Sequence, residues 1–117
     1  MSDASTKAGL DLATKLFAGA PPSPGVSPDL ASHTLSHLFG TIWQDPRLSL
    51  QDRSFVTCTV LVALGREAEQ RLHFRGARNL GIPRDRLDAM ITHVAHYAGW
   101  PVAVGASRVL GEVWDLC

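Results

Sequence analysis

Apolar residues recur along this chain at the three- and four-residue spacing of amphipathic helices, and nowhere at the two-residue alternation of a half-buried strand. The spacing predicts a first helix over 5–17, with Leu10, Leu12, Ala13 and Leu16 on its apolar side. Three prolines and two glycines within 19–26 predict a semi-extended linker. Ser27 and Pro28 suit the N-cap and first-turn positions of a second helix. It is expected to run over 28–43 with Leu35, Leu38, Phe39 and Ile42 on one face, and to end at Asp45-Pro46. Ser49-Leu50-Gln51-Asp52 has the form of a capping box and opens a third helix. That helix carries Phe55, Val56, Cys58, Val60, Leu61, Val62 and Leu64, so it is apolar nearly all round. Such a helix belongs at the centre of a core or beneath another subunit. After Gly65 a fourth helix is predicted over 66–80, stopped at Gly81. Pro83 opens a fifth, with Leu87, Met90, Ile91, Val94, Ala95 and Ala98 at helical spacing. Gly99-Trp100-Pro101 breaks the chain before a last helix over 102–115. The fold class read from this pattern is all-α with about six helices. A lead of 1–26, helix and Pro-rich linker, precedes a helical domain of 27–117.

The fourth helix breaks its own pattern. On a wheel of roughly 100° per residue, Ala68, Leu72, Gly76, Ala77 and Leu80 share one side, and Glu67, Arg71, Arg75 and Arg78 share the other. Glu69 and His73 fall within the apolar arc, one turn apart and able to touch. A carboxylate against apolar surface is costly unless paired. A Glu–His pair there is a candidate for proton chemistry, or else a core ion pair that only fixes packing.

Composition narrows the classes. The 117 residues suffice for one domain with a modest core. Eleven basic residues balance eleven acidic ones, which gives no electrostatic footprint for nucleic acid. The two cysteines, Cys58 and Cys117, match no metal or redox spacing, as expected of a cytoplasmic protein. The first residues lack the layout of a signal peptide, and the apolar run 55–64 is too short to span a bilayer. His33 and His37, and His93 and His96, have spacings that can hold two zinc ligands. No third ligand is placed near them in sequence, and no metal is expected.

Four stretches occur together in an order and spacing that resemble the carboxymuconolactone decarboxylase family. They are G-T-I-W from Gly40, L-S-L-Q-D-R-S from Leu48, E-Q-R-L-H-F-R-G-A-R-N-L-G from Glu69, and Y-A-G-W-P from Tyr97. The resemblance covers about 43–106. It implies an alkyl hydroperoxidase D-like helical bundle in which neighbouring subunits interlock as homo-trimers or homo-hexamers. One branch of that family is a thiol redox protein with two cysteines three apart and a histidine four after the second. Here His73 matches the histidine, while Arg66 and Glu69 stand in the cysteine places, so no disulfide cycle is available. The other branch resembles the decarboxylase of γ-carboxymuconolactone in aromatic breakdown, and keeps the glutamate and histidine that Glu69 and His73 match. The family's A-L-N-N-G becomes Ala77-Arg78-Asn79-Leu80-Gly81 here, and His96 precedes Tyr97 where relatives carry an apolar residue.

Decarboxylation without a cofactor leaves a carbanion, which needs a dry site, stabilisation of developing charge, and a proton. His73 is the natural proton donor because its ordinary pKa lies near neutrality. Glu69 is expected to orient the ring and keep it protonated. Arg53, at the start of the third helix, is the candidate anchor for a carboxylate, with a cap or inter-subunit ion pair as the competing role. His96, Tyr97 and Trp100 are placed to close a pocket on a planar ligand or to pack a helix end. Trp43 is read in the same way, and Asn79 as a ligand hydrogen-bonder or a helix terminator. The reading is a cofactor-free lyase acting on a small carboxylated lactone or related acid. Its partners are that small molecule and further copies of itself, with no nucleic acid and no membrane. The alternative is an oligomeric ligand-binding or accessory protein without chemistry.

Overall fold

The computed structural model describes residues 3–19 and 25–115. Residues 20–24, with three of the expected linker's prolines, lie outside them. Every element among the described residues is helical. Six α-helices run in order: α1 (Asp3–Phe17), α2 (Pro28–His33), α3 (Leu50–Ala63), α4 (Glu67–Asn79), α5 (Arg84–Ala98) and α6 (Trp100–Asp115). A π-helical segment, Thr34–Phe39, and a 3-10 turn, Ile42–Gln44, follow α2. The chain divides into two compact units, Met1–Ser49 and Leu50–Cys117. None of these helices is long and apolar enough to cross a membrane.

In the first unit α1 packs along the π-helical segment. Ser27 caps α2 by accepting a hydrogen bond from the Leu30 amide at 3.2 Å, with Pro28 in the first turn as expected. The helix does not run straight on to Trp43. The Thr34 and Ser36 hydroxyls donate to carbonyls four residues back, at 2.9 and 2.8 Å, a bond that bends helices and competes with the backbone ladder. The wider π winding rotates the expected stripe, so Ser36 and Phe39 are buried while Leu38 and Ile42 are exposed. Gly9 and Gly40 set how closely the two segments meet. A Cβ on Gly9 would collide with the Leu35 carbonyl oxygen, and one on Gly40 with the Ser5 carbonyl oxygen.

The second unit is a four-helix assembly around one apolar core. Phe74, Val62 and Cys58 from α3 and α4 meet Leu87, Ile91 and Val94 of α5 and Ala106, Val109 and Leu110 of α6. The α5 stripe is buried as predicted from Leu87 to Ala95, while Ala98 is exposed. Gly81, at φ +86°, ends α4, with the Ile82 amide reaching back to the Ala77 carbonyl at 3.0 Å, as a glycine at that position permits. Gly99, at φ +108°, turns the chain so sharply that α6 restarts at Trp100 rather than 102, with Pro101 tolerated in its first turn. α3 buries Ser54, Cys58 and Val62 on one side only. Val56, Val60 and Leu64, spaced four apart, stay about half exposed or more.

Candidate active site

The α3–α4 turn places the pair singled out from the sequence. The Arg66 amide donates to the Leu61 carbonyl at 2.9 Å, and Gly65 takes φ +70° to let the chain reverse. α4 then buries Gln70, Phe74, Gly76 and Ala77. Glu69 and His73 flank that buried strip and are each partly covered. The expected apolar arc was therefore turned slightly from the true one. Phe74, fully buried, is at its centre, and Ala68 is exposed. The missed signal is that Phe74 lies four after Gln70 and three before Ala77.

The geometry corrects one electrostatic expectation. Burial pushes the His73 imidazole down to about 4, and the nearby Glu69 charge, which works in the opposite direction, does not overcome it. The ring is therefore neutral at pH 7, not held protonated by Glu69. The Glu69 carboxylate meanwhile accepts from Arg66, at 3.0 and 3.3 Å, across a partly exposed surface. Cys58 of α3 donates its thiol to the His73 carbonyl at 3.4 Å, and burial pushes that thiol up to about 12.

The other sequence candidates lie on α3, at the end of α4, at the α5–α6 turn and, for Trp43, in the first unit. Arg53 lies half-buried in the first turn of α3, next to fully buried Ser54. His96, Tyr97 and Trp100 lie exposed where α5 gives way to α6. The His96 Nδ1 is 2.8 Å from the Thr92 carbonyl, and its ring meets Trp100 edge-on at 5.5 Å. Tyr97 is 81% exposed and leans on His93 at 4.8 Å, so within the chain these rings form a surface patch rather than a closed pocket. Asn79 is exposed at the last position of α4. Trp43 is buried in the first unit, edge-on to Phe39 at 5.3 Å, with Phe17 beyond, and there it acts as a packing residue.

Arg71, on the polar side of the wheel, pairs with Glu112 of α6 at 2.9 Å, and Arg78 lies over the Trp114 ring at 5.7 Å. Gln70 was not singled out from the sequence at all, yet it is fully buried. Among the described residues no group of three or more His, Cys, Asp or Glu is placed to hold a metal ion.

A model of the carboxymuconolactone decarboxylase family matches residues 28–112, and the chain belongs to that family. Over 76 residues it is 42% identical to a 4-carboxymuconolactone decarboxylase of Acinetobacter baylyi, covering 65% of this chain and 57% of that protein. Over 71 residues it is 34% identical to a nitrosuccinic acid decarboxylase of Metarhizium robertsii, covering 61% and 50%. The chain thus spans about half the length of the curated relatives it matches. The match begins at the start of α2, so α1 lies outside it.

Proposed function

We propose that this chain is a decarboxylase of the carboxymuconolactone type, acting without a cofactor on a small carboxylated lactone or a related oxygenated acid. The observation that carries the reading is an imidazole kept neutral by burial, one helical turn after a carboxylate, in a chain whose relatives of both names are decarboxylases. The two named acids differ in skeleton. What they share is a carboxylate whose loss leaves negative charge for a neighbouring electron-withdrawing group to spread.

The overall reaction, RCOO⁻ + H⁺ → RH + CO₂, consumes one proton. The C–C bond to the carboxylate breaks, its electron pair stays on the substrate carbon, and a C–H bond forms there. A neutral His73 is a poor donor in the empty site. An anionic substrate beside it favours the imidazolium and raises its pKa, so the ring takes up a proton as substrate binds and passes it to the carbanion. Glu69 supports the charged ring in the same direction. Arg53 is the proposed carboxylate anchor, with His96, Tyr97, Trp100 and Asn79 shaping the substrate's surroundings.

We propose further that the chain works as a homo-oligomer in the cytoplasm. The apolar stripe of Val56, Val60 and Leu64 supports self-association, because one subunit leaves it facing water.

The test is release of carbon dioxide from 4-carboxymuconolactone, and separately from nitrosuccinic acid, with His73→Ala beside the native chain. Turnover that falls at least ~100-fold in the variant, with helical content kept, supports the reading. Full turnover in His73→Ala overturns the role of His73. No turnover of either acid by the native chain removes both as substrates.

A further inference from the structure

Gln70 is wholly buried, yet it is a polar side chain on the strip of α4 that packs into the core. Its Nε2 donates to the Leu61 carbonyl at 3.1 Å. That oxygen also accepts the Arg66 amide, so both donors converge on one carbonyl at the C-terminal end of α3. The Gln70 amide in turn donates to the Arg66 carbonyl at 2.9 Å. The Oε1 atom is buried with no donor among the described residues. A methionine of similar outline would fill the same space without that cost, since an apolar replacement of a half-satisfied buried amide is close to neutral or stabilising. The amide's return therefore lies in direction rather than in stability. A directional bond from α4 to the end of α3 fixes the register of the two helices, which apolar packing alone leaves free to slide.

We propose that Gln70 is a positioning residue for the proposed decarboxylase site, pinning the α3–α4 turn so that Glu69 and His73 are presented at the set depth. Glu69 immediately precedes Gln70, and His73 follows it by three residues on the same helix. The Cys58–His73 contact marks where α4 is pressed against α3 at the histidine itself. Slackening the turn lets water reach the imidazole and so weakens the burial that outweighs the Glu69 charge. That moves the ring toward its ordinary titration range.

The inference rests on the decarboxylase reading, but one arm of its test does not. In Gln70→Met, titration of His73 by NMR is expected to move from about 4 to above about 5, with melting near that of the native chain. Where the native chain turns over, kcat is expected to fall at least about tenfold while KM stays within about twofold. A filler role would instead leave the titration and kcat unchanged, and that result overturns the inference.

If Gln70→Met does not fold, Gly65→Ala strains the same turn from the exposed side at φ +70°, and the same upward movement of His73 is expected. An unmoved His73 in whichever variant folds overturns the inference. A native chain that releases no carbon dioxide defeats the decarboxylase reading, and the His73 titration then decides the positioning role alone.

Discussion

The thiol of Cys58 donates to the backbone carbonyl of His73 at 3.4 Å, joining the middle of α3 to the helix that carries the candidate proton donor. Cys58 is fully buried, and loss of its proton is disfavoured because the thiolate would lie in apolar surroundings. The thiol is therefore expected to be inert. In a Cys117→Ser background, iodoacetamide at about pH 8, near the ordinary thiol pKa, should leave the folded chain unlabelled and modify it only after denaturant is added. Rapid labelling of the folded chain would contradict the burial described for Cys58.

His73 makes stability depend on pH in a defined window. Its folded pKa is lowered from 6.5 to about 4, so the unfolded chain binds the proton first as pH falls. The stabilisation from keeping the ring neutral is full above pH 6.5, declines as pH drops through the unfolded value, and is gone below about 4. The whole effect amounts to at most about 3 kcal/mol, taking 1.36 kcal/mol per pH unit. His73→Gln has no group to titrate there, so urea midpoints measured across this window should slope less than for the native chain. Equal slopes would mean that His73 is not held neutral.

Much of this was legible in the sequence, and the gaps have physical causes. Single-face spacing found the α5 stripe of Leu87, Met90, Ile91, Val94 and Ala95, because an amphipathic helix on a core needs nothing else. Gly65, Gly81 and Gly99 marked turns that require positive φ. The straight helix expected over 28–43 widens into π winding over Thr34–Phe39, a local change of backbone that a hydropathy pattern does not register. The sequence singles out Glu69 and His73 one turn apart on α4, but it does not show the protonation state of the ring. It depends on the balance of burial against one carboxylate, which only the packed structure sets. Gln70 escaped notice because a lone polar residue on a helix reads as solvent-facing until its depth is known.

The close approach of Gly9 to the Leu35 carbonyl leaves no room for a methyl group. Both segments belong to the first unit, and each would have to shift to admit one. Gly9→Ala is expected to lower stability by about 1–3 kcal/mol, the usual cost of overpacking, even though alanine is the better helix former. Limited proteolysis should then cut within α1 sooner than in the native chain. An unchanged digestion pattern would mean that α1 does not depend on this contact.

Val60 is the middle residue of the stripe that α3 leaves uncovered, 49% exposed between Val56 and Leu64. Within one subunit a charge there costs little, because the side chain already meets water. Beneath a second copy it would bury an unpaired carboxylate, which is costly. Covering what the three half-exposed side chains still show to water stabilises an assembly by about 1 kcal/mol each, so one central charge should be enough to undo it. Val60→Glu is expected to bring the mass measured by light scattering down to the 12.6 kDa of a single chain, with the helical circular dichroism signal retained. If the native chain itself measures 12.6 kDa at working concentration, self-association through this face is refuted. If Val60→Glu keeps the native oligomer's mass, the subunits meet elsewhere.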